Sequence, residues 1–265
     1  MKRFFIFFNI LLVVCFNLHA QGEIDKQGKI FYRNEKSAAI LINSNGFGLN
    51  GRYAKRVDAA RKILYDLDIV YYRHPKEVRV NNPLFSSSNN INTNYSNFVL
   101  GKQYLPIILK FGFGKQQEIF RKFDVGGISV RKFYTLGPAI AVLKPIYYNI
   151  YNDYDTIVKV ERFNRGSPVI YIAGRASILK GIDELKIIPG AFLKGGFCFE
   201  YSKKDQVLNA LEIGGVLEGY VQELPIMGTK ENYQILISLF ISYRFGVIFD
   251  PNAPKSKRQK QDYSY

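Results

Sequence analysis

Along most of the chain, apolar and polar side chains alternate residue by residue, the mark of strands whose two faces meet different surroundings. Tyr104 to Lys115 shows it most plainly, with Leu105, Ile107, Leu109, Phe111 and Phe113 on one face and Lys110, Gly112 and Gly114 on the other. Between 61 and 74, Ile63, Tyr65, Leu67, Ile69 and Tyr71 oppose Asp66, Asp68, Val70, Tyr72 and His74. Between 127 and 149, Ile128, Val130, Tyr134, Leu136, Ile140 and Val142 oppose Ser129, Arg131, Thr135, Gly137, Ala139 and Ala141. Small residues on that second face let a narrow lumen close. Further on, Leu193, Phe197, Phe199 and Tyr201 alternate with Lys194, Gly196, Cys198 and Glu200, and Leu211, Ile213 and Leu217 with Glu212, Gly214 and Glu218. The last such run sets Tyr233, Ile235, Ile237, Leu239, Ile241, Tyr243 and Phe245 against Gln234, Ser238, Ser242 and Arg244.

Asn45-Gly46 is a favoured two-residue hairpin turn, and placing a hairpin there divides the chain into eight strands: 36–44, 47–57, 61–74, 102–115, 127–149, 189–203, 206–222 and 232–246. Short connections (58–60, 116–126, 203–205) then alternate with longer ones (75–101, 150–188, 223–231), as they do in outer-membrane barrels. Within 150–188, Thr156 to Arg162 and Pro168 to Ile178 offer a further hairpin that makes ten strands. Alternation alone also fits a soluble sandwich with its apolar face buried. The strand ends favour the membrane instead, because Tyr71, Tyr72, Tyr147, Tyr148, Tyr201, Tyr220, Tyr243 and Phe245 fall where interfacial aromatic girdles sit. The predicted fold is therefore all-β: a closed antiparallel transmembrane β-barrel of eight strands, with ten as the alternative.

The first twenty residues predict an export signal, with Lys2 and Arg3 ahead of the apolar run Phe4 to Phe16 and Leu18-His19-Ala20 as the cleavage site. A lipoprotein reading would use Cys15, but Val13 and Val14 precede it where small residues belong. Domains then follow as a signal peptide over 1–20, a periplasmic segment over 21–35, the barrel over 36–246 and a basic periplasmic tail over 247–265. The formal charge of +15 loses two cations with the signal and becomes +13. Only Cys198 is left to the mature chain, which excludes an intramolecular disulfide. In the tail, Lys255, Lys257, Arg258 and Lys260 follow two prolines. They read as a solvated end, with acidic headgroups or an envelope partner as the functional alternative. Nucleic acid is not an expected partner of a membrane protein, despite the basic balance.

Candidate chemistry gathers on the polar faces. Asn50 and Arg52 are expected beside Asp66 and Asp68, with Lys110, Arg131, Lys194, Glu200, Glu212, Glu218 and Arg244 sharing the same lumen. Charges buried together must pair. One reading makes them a hydrolytic site or an ion path; the plainer one, favoured by the narrowness of eight strands, makes them a polar core that fixes register. Gly46 to Gly51 matches G-x-G-x-x-G after an apolar strand, and 52–67 can be drawn as a helix. No second strand–helix alternation follows, so turn and packing roles explain these glycines better than a dinucleotide. His74, with Ser86 to Ser88 downstream, is the only material for an acyl hydrolase, and no G-x-S-x-G elbow accompanies it. One His and one Cys far apart offer no metal-ligand spacing, and no cofactor is expected.

Five blocks carry a resemblance. His74-Pro75-Lys76-Glu77-Val78, Gly126 to Arg131, Gly137-Pro138 followed by Leu143-Lys144-Pro145, Pro189-Gly190 with Lys194, and Pro225-Ile226-Met227 are similar to those of a poorly characterised outer-membrane β-barrel family of Bacteroidota, from about Lys36 to Gly246. The resemblance implies the architecture and a place in the bacterial outer membrane, in contact with its lipid. It carries no catalytic residues and raises a role as an accessory subunit of envelope machinery. On that basis His74, Lys76, Glu77, Pro189, Pro225 and Met227, taken to lie in loops, are the expected partner surface. The function expected is structural or accessory, without catalysis; a lipid-modifying enzyme and a narrow pore are the alternatives.

Overall fold

A computed structural model describes residues 33–80, 98–122, 127–151, 157–163, 172–204, 206–228 and 232–251. The signal segment, Cys15, Ser86 to Ser88 and most of the basic tail lie outside the described residues. The strands are β1 (Asn34–Asn43), β2 (Gly46–Arg56), β3 (Arg61–Tyr72), β4 (Arg79–Val80), β5 (Phe98–Val99), β6 (Tyr104–Phe120) and β7 (Ser129–Pro145). They continue with β8 (Tyr147–Tyr151), β9 (Ile157–Arg162), β10 (Ile172–Arg175), β11 (Lys186–Glu200), β12 (Val207–Tyr220) and β13 (Ile235–Phe249).

Eight of them, β1, β2, β3, β6, β7, β11, β12 and β13, close an antiparallel barrel in chain order, with β13 pairing back on β1. Each barrel strand overlaps one of the eight predicted from alternation. The pairing fixes the stagger. A path of paired neighbours from Ser44 runs through Leu239, Gly215, Gly195, Tyr134, Lys115 and Ile63 to Lys55, and the β1–β2 register, with Glu35 opposite Ala54, puts Lys55 level with Asn34. One circuit therefore returns to the first strand ten positions away from Ser44, which tilts the strands by roughly 35–45° to the axis.

The first hairpin turns through Ser44-Asn45, one position earlier than the expected Asn45-Gly46, and Gly46 is the first residue of β2, paired with Asn43. Its φ of 144° is open to glycine, and a Cβ there would strike the Tyr71 carbonyl oxygen of the adjoining strand. The segment 52–67 is strand, turn and strand rather than a helix, which removes the context a dinucleotide fingerprint needs. Within the lumen, Gly112 leaves room for its neighbours: a Cβ would stand 3.1 Å from the Phe192 ring and 3.3 Å from Thr135.

One rim has short connections, 57–60, 121–128 and 201–206; the other has the long ones after β3, β7 and β12. The predicted extra hairpin does form strands, but these do not enter the barrel. β8 leaves the wall just after Pro145, which has no N–H to offer the ladder, and pairs with β9 on one side and β10 on the other. A separate three-stranded sheet results, and the barrel remains eight-stranded rather than ten.

Candidate functional site: a paired lumen and a belted outer face

The side chains on the polar face of each strand enter the lumen, and there the predicted residues meet. The register places Asn50 opposite Asp68 and Arg52 opposite Asp66. Arg52 donates from Nε and Nη2 to the two Asp66 oxygens at 2.6 and 2.9 Å, a bidentate pair, and reaches across to Glu212 at 2.6 Å. Glu212 also accepts from Arg244 at 2.8 and 3.0 Å and from the Ser242 hydroxyl at 3.1 Å. Arg244 extends the network to Asn50 at 2.6 Å and Ser37 at 3.0 Å. Asn50 donates to Asp68, which Lys194 approaches at 3.0 Å. Lys110 donates to Glu218 at 2.7 Å, whose other oxygen accepts from the Tyr220 hydroxyl at 2.8 Å.

Three of these cations also lie over aromatic faces: Arg52 over Phe133 at 4.8 Å, Lys194 over Phe240 at 5.1 Å and Lys110 over Phe192 at 5.8 Å. The rings supply favourable electrostatics as well as packing. Nearer the short-turn rim stands a second group, in which Arg131 joins Glu35 and Glu200, Lys62 pairs with Glu35, and Lys122 approaches Glu200 at 3.4 Å. Every carboxylate of the two groups holds at least one cation, and Glu212, Glu35 and Glu200 hold two each.

Alternate positions point outward and are apolar over the whole circumference, with Ile42, Leu49, Ile69, Phe111, Leu136, Leu193, Leu217, Ile237 and Leu239 at 45 to 71% exposure. Toward the short-turn rim the band ends in aromatic residues. Tyr53, Tyr65 and Phe113 are neighbours across three strands, their rings 6.2 and 5.5 Å apart. One outward position closer to that rim come exposed lysines on β2, β6 and β7, Lys55, Lys115 and Lys132. At the opposite rim Phe47 meets Tyr71 at 5.4 Å. Apolar belt, aromatic edge and snorkelling cations follow the order of a membrane cross-section.

No family model matches the chain, and no curated protein matches it. Solved structures do. The fold is similar to Neisserial surface protein A, NspA, at 11% identity over 82% of this chain and 97% of that one, with a TM-score of 0.40. It is similar to the N-terminal β-barrel domain of Pseudomonas aeruginosa OprF (8% identity, 83% and 98% covered, TM-score 0.35). A third is Ail, the attachment invasion locus protein of Yersinia pestis (6% identity, 83% and 100% covered, TM-score 0.36). The likeness concerns the fold alone.

The residues expected to face a partner are placed differently from one another. Pro189 lies within β11 on its outer face and not in a loop. His74, Glu77 and Met227 are buried, at 1, 7 and 4% exposure, and Pro225 is half-buried; Lys76, like Pro189, is exposed. They build the mouth of the barrel. Glu77 accepts from the His74 backbone N–H at 3.0 Å and from Lys102 at 2.6 Å, and Lys102 also donates to Tyr71 at 2.8 Å. The His74 ring stacks on Tyr233 at 5.3 Å, and its Nδ1 accepts the Lys76 N–H at 3.2 Å. Burial pushes the His74 imidazole below its usual pKa; Lys76 and Lys102 act in the same direction and Glu77 against them. Leu224, Ile226 and Met227 turn inward beneath this cluster, tied by Gln103 and Tyr104 N–H groups donating to the Ile226 carbonyl at 2.9 and 3.2 Å.

Sequence reasoning missed Glu35, Lys62, Lys122 and Ser37. Glu35 lay just before the expected start of its strand, and Lys122 in an expected turn. Lys62 was legible, since it shares the parity of Asp66 and Asp68. Among the described residues no group of His, Cys, Asp and Glu is arranged to hold a metal.

Proposed function

We propose that the protein is an integral β-barrel of the bacterial outer membrane that acts through its surfaces, as a structural or accessory component of the envelope, without catalysis in its lumen. The observation that carries this is the division of the wall: an unbroken apolar band outside, edged by aromatics and lysines, and paired charges inside. Water would leave that band exposed, whereas lipid covers it. The lumen network is read as a core that fixes register, since a one-residue slip of any strand would turn its charges to the lipid. In this reading the sequence blocks ally the chain with barrels of Bacteroidota, and its partners are membrane lipid and other envelope proteins.

Against the enzymatic alternative counts the setting of His74, whose Nδ1 accepts a backbone N–H inside a stacked turn. The test is extraction of the native protein in mild detergent. It should leave the membrane only with detergent and bring one or more envelope proteins with it. Release by salt or alkali alone overturns the membrane reading, and a barrel that emerges by itself overturns the accessory role.

A further inference from the structure

Between β10 and β11 the chain presents an apolar surface that nothing among the described residues covers. Ile178, Leu179 and Ile182 are 60, 71 and 50% exposed, and Leu185 and Ile187 follow at 43 and 64%. Aliphatic surface left in water is unfavourable in proportion to its area, and such a patch marks a contact. The segment is held in place. Lys144 donates to the Lys180 carbonyl at 2.8 Å, and the Tyr147 hydroxyl donates to Glu184 at 2.7 Å, where Arg162 also pairs.

Its position says what covers it. Leu185 and Ile187 keep the outward parity of Pro189, Ala191 and Leu193, so the patch is continuous with the outer band of the barrel. β12 stops at Tyr220, opposite Gly190, whereas β11 goes on to Lys186 paired with β7 alone. The patch therefore starts where the wall emerges from the band. Resting on the lipid-facing reading of that band, we propose that segment 177–187 lies on the outer leaflet, with Ile178, Leu179 and Ile182 inserted where headgroups meet acyl chains and the exposed Lys180 at headgroup level. Such a seat adds an interfacial contact on one side of the barrel and fixes how deep it sits.

The chain has no tryptophan, so one introduced residue is a unique reporter. Leu179→Trp and Ile182→Trp would be compared with Leu239→Trp in the outer band and Lys159→Trp on the β8–β10 sheet. Each full chain would be folded into phosphatidylcholine vesicles brominated either near the headgroup or near the chain end, after heat-modifiable gel migration has confirmed the barrel. Leu179→Trp and Ile182→Trp should emit at shorter wavelength than Lys159→Trp and lose more fluorescence to bromine near the headgroup than to bromine at the chain end. If one of the two fails to fold, the other decides. Emission like that of Lys159→Trp, or blue-shifted emission that neither lipid quenches, overturns the proposal while quenching of Leu239→Trp leaves the barrel reading standing. An unquenched Leu239→Trp removes both.

Discussion

Glu212 is the residue on which the central network converges, for it alone holds both Arg52 and Arg244. Removing one member of a buried ion group leaves its partners charged and unpaired, at a cost of about 3–5 kcal/mol. Glu212→Ala should therefore lower the urea midpoint of unfolding in detergent by that equivalent, whereas Arg61→Ala, which breaks an exposed pair with Asp58, should leave it within error. His74 gives a pH dependence of the opposite kind to a salt-bridged histidine. Its folded pKa lies below the unfolded value, so the unfolded form binds more protons between the two, and stability rises with pH. The turn around His74 should be intact above about pH 6.5 and weaken as pH falls from there toward the folded value, because a proton on Nδ1 displaces the Lys76 N–H. Protease nicking of the connection after β3, followed against pH, checks it; nicking that increases toward alkaline pH contradicts it.

At the scale of elements, the barrel and the sheet of β8, β9 and β10 separate cleanly. β7 and β11 pair directly along their whole shared length, from Lys186 opposite Leu143 to Glu200 opposite Ser129, so the wall does not need the strands between them. Replacing residues 148–180 by a short Gly-rich turn should leave the heat-modifiable gel shift and the far-ultraviolet β signal of the barrel in place. The sheet nevertheless touches the mouth: the Tyr148 hydroxyl donates to the carbonyls of Lys102 and Val99 at 2.7 and 3.0 Å. Tyr148→Phe should leave the barrel midpoint unchanged while increasing proteolysis of the connections around β5. Equal protection of the two chains would show that those hydrogen bonds contribute nothing to loop order.

At the scale of the whole molecule, the lumen is filled from rim to rim. Arg131, Glu35 and Glu200 occupy one end, the Arg52–Glu212–Arg244 group the middle, and Tyr72, Tyr220, Leu224 and Ile226 the other. Eight strands enclose space only just wide enough for side chains. The intact protein in planar bilayers should show no steady conductance above leak; resolved, stable steps would restore the pore reading.

Two-residue periodicity by itself marked the barrel strands and the two faces of each, because lipid and lumen impose opposite demands on successive side chains, whereas the choice of eight over ten was made by the fold. It also placed Asn50 and Arg52 beside Asp68 and Asp66, since a hairpin fixes its own register. The partners across the lumen were decided only by closure. Lys110 and Glu218 are 108 positions apart and Arg244 and Asn50 are 194, distances over which no local pattern carries information. The tertiary structure also turned Pro225-Ile226-Met227 and His74 inward, where a sequence of loop-like residues reads as surface. Alternation speaks for side chains held on a strand, and a loop has no such rule: its facing is set by the cavity it meets.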